Sequence, residues 1–318
     1  MANKAHPIRG YAYIAAATLL WGIAATLGRA AFTGRLLPAG EVLQPIDPLI
    51  LSQSRTTISF LVLLPILQAR RGWTNLRLPT ADLGRVVLLG VLGVASSNFL
   101  YYLAIQRTNV ATAIILQYTA PVLVLLYMVA RGLQKPTAQR VVAVGLAVLG
   151  SALAIGAVGK GGFRIDPVGV IAALLAAVAF AFYNVMGHGI MARHDRWIVL
   201  LYTTFSASAF WLIVNPPWKV VAAHYSGLQW AFLMVFALVS MLGPFSFYFA
   251  GLQHLEPTRA IVASCLEPVL SIVLAALFLG EALRPVQMLG IVVVLAAIVI
   301  VQLPERGGAD VPVVEPIE

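Results

Sequence analysis

Residues 248–280 read YFAGLQHLEPTRAIVASCLEPVLSIVLAALFLG. Two apolar segments of helical length meet there at a short polar connection, His254 to Pro257. The second segment carries Glu267 and Pro268 near its middle. A carboxylate and a helix-breaking residue both cost free energy inside an apolar run, so this pair indicates a specific role.

The same pattern occurs earlier in the chain, where residues 101–123 read YYLAIQRTNVATAIILQYTAPVL. The two stretches align without a gap at a spacing of 147 residues, which pairs Gln106 with Gln253 and Pro121 with Pro268. A match of this kind indicates that a helical hairpin has been duplicated within the chain.

The composition predicts an integral membrane protein in contact with the lipid bilayer. Hydrophobic residues make up 60% of the 318 residues and charged residues 10%, against about 45–50% and about 25% in soluble domains. The net charge of +9 comes from basic residues between apolar runs, with no basic block interleaved with aromatics, so nucleic acid is not expected as a partner. The first run lacks a convincing cleavage site and is predicted to be a retained span rather than a signal peptide.

Ten apolar runs of membrane-spanning length follow one another, and lipid requires each to be a helix. We therefore predict an all-α integral membrane protein with ten transmembrane helices. The Pro/Gly-rich tail 304–318 is predicted to be disordered. The ten runs cover approximately residues 11–32, 48–68, 85–106, 109–130, 137–158, 167–190, 197–214, 228–253, 258–279 and 284–303.

The duplication divides the chain into two repeats of five helices, residues 1–160 and 161–303. Because five is odd, the second repeat enters the membrane in the opposite direction to the first. Inverted repeats of this kind recur in secondary transporters, with the substrate site at the repeat interface. With the N-terminus inside, thirteen of the 21 Lys and Arg residues lie on the cytoplasmic side and seven outside. This bias predicts that both termini are cytoplasmic.

Two motifs carry a resemblance to a known family. LEPTRAIVASCLEPVL at 255–270, followed by LFLGEALRPVQMLG at 277–290, resembles the signature of EamA-like transporters of the drug/metabolite transporter superfamily. LLWG at 19–22 resembles that family's first helix, and the N-terminal copy departs from the signature where Ala120 precedes Pro121. The resemblance covers nearly the whole chain and implies a multi-pass transporter of the bacterial inner membrane. It is strongest to exporters of amino acids, particularly aromatic ones.

Polar and aromatic side chains inside the apolar runs are the candidates for binding a small-molecule substrate. In the sixth run Tyr183, Asn184 and His188 share one helical face with Phe180. The alternative for each such residue is packing within the bundle. The set predicted to line a central cavity is Trp21, Asn98, Tyr101, Gln117, Tyr118, Tyr183, Asn184, His188, Tyr248 and Ser264, with Tyr102 and Phe245 as further candidates.

Pro121 and Pro268 are predicted to act as hinges, because each removes the hydrogen bond to the carbonyl four residues earlier. Glu267 lies about 13 Å into its helix at 1.5 Å per residue. It is a candidate for binding a coupling proton, with a structural hydrogen bond as the alternative. Arg55, also inside a run, is interpreted as structural, with a contact to an anionic group as the alternative.

The sequence contains no Gly-rich phosphate loop, no catalytic constellation and no second His or Cys at metal-ligand spacing. No enzyme activity, cofactor or metal is therefore expected. We predict a transporter that exports small amphipathic metabolites, amino acids above all, by alternating access. Three alternatives stay open: an organic-phosphate or nucleotide-sugar exchanger of the same superfamily, a membrane-embedded lipid-modifying enzyme, and a passive channel.

Overall fold

The structure, a computed structural model, describes residues 6–34, 36, 42–108, 110–154, 166–279 and 284–303. All regular secondary structure in these ranges is helical. Glu281, the predicted boundary at 160/161 and the tail 304–318 lie outside the described residues. The α-helices are α1 Pro7–Thr33, α2 Pro48–Arg71, α3 Thr80–Leu88, α4 Ser96–Arg107, α5 Val110–Gln117, α6 Ala120–Ala130, α7 Ala138–Ala154, α8 Pro167–Met191, α9 Arg196–Val214, α10 Pro217–Val221, α11 Gly227–Ala237, α12 Gly243–Leu252, α13 Pro257–Ser264, α14 Leu266–Leu279 and α15 Pro285–Gln302.

The helix lengths and composition confirm the prediction of an all-α membrane protein. Eight helical segments in the described ranges are long and apolar enough to cross a membrane. Two further apolar stretches correspond to predicted runs: α7, with 17 residues, and the consecutive pair α13 and α14. The eight segments cover residues 7–33, 48–71, 80–107, 112–130, 167–191, 196–214, 227–252 and 285–302.

Two of the long helices begin with an aspartate N-cap followed by a proline. Asp47 and Asp166 precede a proline at the first helical position, and their carboxylates accept hydrogen bonds from the backbone N–H groups of Leu49 and Gly169 at 2.8 and 2.9 Å. Such caps satisfy N–H groups that the helix itself leaves without partners. Because the capping residues sit at the ends of the apolar runs, they fix where the chain enters each helix.

Two irregularities occur twice in the chain, at the spacing found in the sequence. π-helical turns Leu89–Ala95 and Leu238–Leu242 join α3 to α4 and α11 to α12. Their last residues lie 147 positions apart, as do the last residues of α5 and α13. π-Helical turns are rare and often occur at functional sites. Here both lead into helices that contribute to the central cavity described below.

The α7–α15 pair is the most closely packed contact between helices. A Cβ built on Gly290 would lie 2.2 Å from the backbone nitrogen of Ala154. Glycine is therefore required at this crossing, as is common where membrane helices approach closely. Aliphatic side chains such as Ala147 and Val294 make up much of the buried surface of the pair.

Candidate functional site

A cavity of about 60 Å³ lies among the helices, and its described lining is polar and aromatic. The side chains come from α1, α2, α4, α5, α8, α12 and α14 and from the turn after α5. None of the described lining residues belongs to α7 or α15. The lining residues are Trp21, Ala24, Ala25, Arg55, Ser97, Asn98, Tyr101, Tyr102, Gln117, Tyr118, Phe180, Phe245 and Glu267.

Five of the ten residues predicted to bind substrate line this cavity. Trp21, Asn98, Tyr101, Gln117 and Tyr118 all line the cavity, and Glu267 faces them from α14. The other five do not reach it: they are buried behind the cavity wall, and their role toward a substrate stays a prediction. These five are Tyr183, Asn184, His188, Tyr248 and Ser264.

Three of these five residues, Asn184, His188 and Tyr248, form a hydrogen-bonded contact between α8 and α12. The Tyr248 hydroxyl donates to Asn184 Oδ1 at 2.5 Å, and Asn184 Nδ2 donates to the Phe180 carbonyl at 2.8 Å. His188 Nδ1 lies 3.1 Å from the Leu252 carbonyl oxygen. These bonds satisfy polar groups that would otherwise be costly to bury, so they account for Asn184, His188 and Tyr248 without a ligand.

Aromatic rings connect this contact to the cavity. Trp21 packs edge-on against Phe245 at 5.6 Å between ring centroids and lies 5.1 Å from the Tyr248 ring. Tyr183 stacks on Phe249 at 5.5 Å from the far side. Trp21 is therefore both a lining residue and a member of the aromatic layer that supports the cavity wall.

Arg55, which the sequence analysis interpreted as structural, lines the cavity. Its side chain is buried on α2, and Nη1 donates to Asn98 Oδ1 and to the Tyr102 hydroxyl, both at 3.0 Å. Nη2 donates to the carbonyl of Ser240 in the second π-helical turn. The guanidinium carbon lies 5.3 and 5.7 Å from the ring centroids of Tyr102 and Phe236. The side chain does not extend to the membrane surface, so it belongs to the site.

A sequence signal for this burial was available. Arg55 lies within SQSRTTIS, residues 52–59, an unusually polar stretch inside an apolar run. Six of these eight residues, as well as Arg55, are buried or half-buried polar groups. Gln53 and Asn215, for example, exchange hydrogen bonds between α2 and the end of α9, one of them at 2.7 Å. A polar stretch on a membrane helix faces the protein interior, because lipid cannot solvate it.

The two prolines predicted as hinges follow interruptions in their helices. α5 ends at Gln117 and α6 begins at Ala120, while α13 ends at Ser264 and α14 begins at Leu266. The carbonyl freed by Pro268 is that of Ser264, and it accepts a hydrogen bond from the Tyr118 hydroxyl at 2.9 Å. The interruptions are thus present where the sequence placed them, and the motion of a hinge stays a prediction.

Tyr118, in the first interruption, also contacts Glu267, the acidic residue of the cavity. Its hydroxyl also lies 2.9 Å from Glu267 Oε2. Glu267 is half-buried and lines the cavity. The described lining therefore holds one cationic side chain, Arg55, and one carboxylate, Glu267, with no ion pair between them within 4.0 Å.

The described residues contain no group of three metal-ligating side chains. A polar, aromatic-lined cavity among membrane-crossing helices suits the binding of a small solute, and transporters place their sites in this way. The sequence profile of the EamA-like transporter family matches residues 8–156 and again residues 167–303. The chain belongs to this family and is a membrane transporter, which removes the alternative of a lipid-modifying enzyme.

Related proteins are named as transporters. An uncharacterized inner membrane transporter of Salmonella typhimurium, YicL, is 23% identical over 224 residues, covering 70% of this chain and 73% of the relative. The threonine/homoserine exporter RhtA of Escherichia coli K12 is 29% identical over 210 residues, covering 65% and 67%. A solved crystal structure superposes with a TM-score of 0.72 at 20% identity, covering 93% of this chain and 97% of that one. This last likeness shows a shared fold.

Proposed function

We propose that the protein exports small amphipathic metabolites, above all amino acids including aromatic ones, by alternating access through the central cavity. The observation that carries the proposal is the lining itself. It combines a cation, a carboxylate, amide groups and aromatic rings within one site. The relative RhtA is named a threonine/homoserine exporter, which supports amino acids as the substrate class.

The aromatic part of the proposal rests on six rings in the lining. Flat, rigid rings supply apolar contact area and bind other rings in offset or edge-on arrangements. Small-molecule sites generally combine such surfaces with a few placed polar groups. The rings belong to Trp21, Tyr101, Tyr102, Tyr118, Phe180 and Phe245.

Alternating access is supported by the small size of the cavity. About 60 Å³ is far below the roughly 300–1,000 Å³ of small-molecule sites. We therefore propose that helices move apart when a metabolite enters. The interruptions before Pro121 and Pro268 place two breaks in helical hydrogen bonding beside the cavity, and we propose that the chain moves at these breaks. Glu267 is the candidate for a proton taken up or released in the cycle.

The proposed architecture has ten membrane-crossing helices in two inverted repeats of five. The eight long segments, α7 and the α13–α14 pair supply the ten. The two family matches and the recurring irregularities at a spacing of 147 residues support the duplication. We place the protein in the bacterial inner membrane with both termini cytoplasmic.

Cysteine labelling tests this orientation. In a Cys265→Ala background, Lys219→Cys should react with an impermeant reagent added outside intact cells, and Arg77→Cys should not.

An organic phosphate or nucleotide sugar fits the cavity less well. A phosphate group carries up to two negative charges, and phosphate sites usually collect several donors and cations. The described lining offers the single cation Arg55 and sets a carboxylate, Glu267, within the same cavity. We therefore propose amino acids rather than phosphates.

Counterflow into proteoliposomes tests the proposal. Radiolabelled threonine, homoserine, phenylalanine, tyrosine and tryptophan are each offered to vesicles preloaded with the unlabelled compound. We expect the wild-type protein to accumulate at least one of these amino acids in a saturable manner. In Tyr101→Ala the transport of that amino acid should be weakened roughly 5- to 150-fold, since an unpaired polar group costs about 1–3 kcal/mol. Leu295→Ala, on the exposed face of α15, is the control. Accumulation of organic phosphates but of no amino acid would overturn the proposal, and non-saturable flux without counterflow would indicate a channel.

A further inference from the structure

We propose that Arg55 and Glu267 together recognise the zwitterionic backbone of an α-amino acid. Arg55 binds the carboxylate, and Glu267 binds the ammonium group. This inference rests on the proposed function, because it names the chemical feature by which the same cavity selects its substrate.

The first argument is the state of the Arg55 guanidinium. Its described partners, Asn98, Tyr102 and the Ser240 carbonyl, are all neutral oxygens. Nε is buried and has no hydrogen-bond partner among the described groups. Neutral acceptors orient a guanidinium without neutralising its charge. A buried charge inside a membrane protein is normally paired, and Arg55 has no anion in direct contact with it among the described residues.

The second argument is that the cavity holds hydrogen-bonding groups beyond Arg55. The Tyr101 hydroxyl is buried with no partner in the described part of the chain, and Tyr101 lines the cavity. A carboxylate has two oxygens and accepts several hydrogen bonds, so the Nε–H of Arg55 and the Tyr101 hydroxyl can serve the same group. Buried donors of this kind favour a ligand that supplies the missing acceptors.

Glu267 supplies the opposite end of the site. The Tyr118 hydroxyl lies 2.9 Å from Oε2, and Oε1 has no hydrogen bond within the described residues. The side chain is half-buried, and it faces a cavity whose other charged lining residue is Arg55. An ammonium group has three donors and no acceptor. A free carboxylate oxygen in a site of restricted water access is a suitable partner for it.

The third argument is charge balance. One cation and one carboxylate leave the lining neutral as a whole. An anion without an amino group would add an uncompensated negative charge at membrane depth, and an amine without a carboxylate would add a positive one. A zwitterion adds none, and each of its charges meets the opposite charge. Electrostatics in a poorly solvated site therefore selects zwitterions over both kinds of monovalent ion.

A purely structural role for Arg55 is the competing explanation. Its hydrogen bonds join α2 to α4 and to the second π-helical turn, so a variant could fail by loosening these contacts. The two roles differ in what they predict for ligands. Loosened packing weakens all ligands alike, whereas a lost carboxylate contact weakens only those ligands that have a carboxylate.

The test is competition against counterflow of radiolabelled phenylalanine or threonine, whichever the wild-type protein transports. The competitors are the unlabelled amino acid, its amide, which lacks the negative charge, and its N-acetyl derivative, which lacks the positive one. For the wild type we expect both derivatives to compete about 10- to 150-fold more weakly than the amino acid. If the amide and the amino acid compete equally, the inference is wrong, whatever any variant does.

The same competition in Arg55→Gln separates the two roles. We expect the amino acid to lose its advantage over the amide, while the amide competes at least as well as in the wild type, because its positive charge no longer meets that of Arg55. Arg55→Lys, which keeps the charge but not the planar fork, should be intermediate. Arg131→Gln, at an exposed position after α6, is the matched control. Equal weakening of the amino acid and the amide would overturn the inference in favour of the structural role.

These results are distinguishable from a failure of the proposed function. If the wild-type protein moves no amino acid, both proposals fall together. If it moves amino acids but does not discriminate against their amides, the proposed function stands and the zwitterion site does not.

Discussion

The two interrupted helices share a backbone pattern and differ in their chemistry. Each has a short break followed within four residues by a proline, at positions 147 apart in the chain. The first break presents Tyr118, whose hydroxyl reaches both the Ser264 carbonyl and the Glu267 carboxylate of the second. At the position that corresponds to Glu267, the first helix has Ala120, which is fully buried.

The difference teaches that two similar backbone breaks carry different polar roles. The first break supplies a hydroxyl group and the second supplies a carbonyl and a carboxylate, and the contact between these groups joins the two breaks beside the cavity. A carboxylate at position 120 would be a second ionisable group inside the membrane, buried in an apolar cluster, which is unfavourable. The following predictions test whether this division of roles is required.

Restoring the symmetry should have the largest effect. Ala120→Glu puts a carboxylate among Val124, Met128 and Ile261, with which Ala120 packs. Burying an unpaired charge costs several kcal/mol, so we expect little folded protein. Size-exclusion chromatography of detergent-solubilised protein measures the monodisperse fraction. Ala138→Glu, at the exposed start of α7, is the control, and a well-folded Ala120→Glu variant would show that the asymmetry is not required.

Removing the charge of Glu267 should have the next largest effect, on transport rather than on folding. In Glu267→Gln the side-chain amide oxygen can still accept from Tyr118, so we expect normal expression. Transport should fall about 10- to 150-fold, the range for a lost charged hydrogen bond. Glu281→Gln is the comparison, because Glu281 lies at the end of a predicted run where water can solvate it. Equal transport by wild type and Glu267→Gln at equal expression would remove both the ammonium-binding and the proton-binding role.

Tyr118→Phe should weaken the contact between the breaks without changing any charge. It leaves the Ser264 carbonyl without its described side-chain partner, and we expect the free energy of unfolding to fall by about 1–3 kcal/mol. Thermal unfolding followed by tryptophan fluorescence provides the measurement. Tyr127→Phe, which changes an exposed ring on α6, is the control. Identical melting curves for the wild type and Tyr118→Phe would mean that the contact of the Tyr118 hydroxyl with the second break adds nothing to stability.

The smallest effect should distinguish the two prolines. Replacing proline by alanine raises the entropy of the unfolded chain, which costs about 0.4–1 kcal/mol. In Pro121→Ala the new N–H can bond to the Gln117 carbonyl and offset this loss. In Pro268→Ala the gain is smaller, because the Ser264 carbonyl already accepts from Tyr118. We therefore expect Pro268→Ala to melt at a lower temperature than Pro121→Ala, and the reverse order would contradict the inferred difference.

The fold followed from the sequence because lipid reduces the choice to one structure. Apolar runs in a membrane must be helices, so α8 and α9 begin at or beside the predicted residues 167 and 197. The interruptions were also predictable, since proline removes a hydrogen bond at a known position.

The site was only partly predictable, because the sequence does not say which polar residues satisfy one another. Asn98 and Asn184 have the same chemistry and similar apolar surroundings in the chain. In the structure Asn98 accepts from Arg55 at the cavity, whereas Asn184 accepts from Tyr248 behind it. The burial of Arg55 was readable from its polar stretch, but its partners Tyr102 and Ser240 were not, because they lie 47 and 185 residues away in the chain.

Substrate protection of a cysteine in the cavity tests the central claim, that the transported solute occupies this site. Gln117→Cys is made in a Cys265→Ala background, because Cys265 is the single cysteine of the chain, and Thr74→Cys in an exposed turn is the reference. We predict that an amino acid transported by the protein slows alkylation at position 117 in a saturable manner, with half-protection near its KM, and leaves position 74 unchanged. Unchanged alkylation at position 117 in a variant that still transports the amino acid would place the substrate elsewhere and contradict the claim.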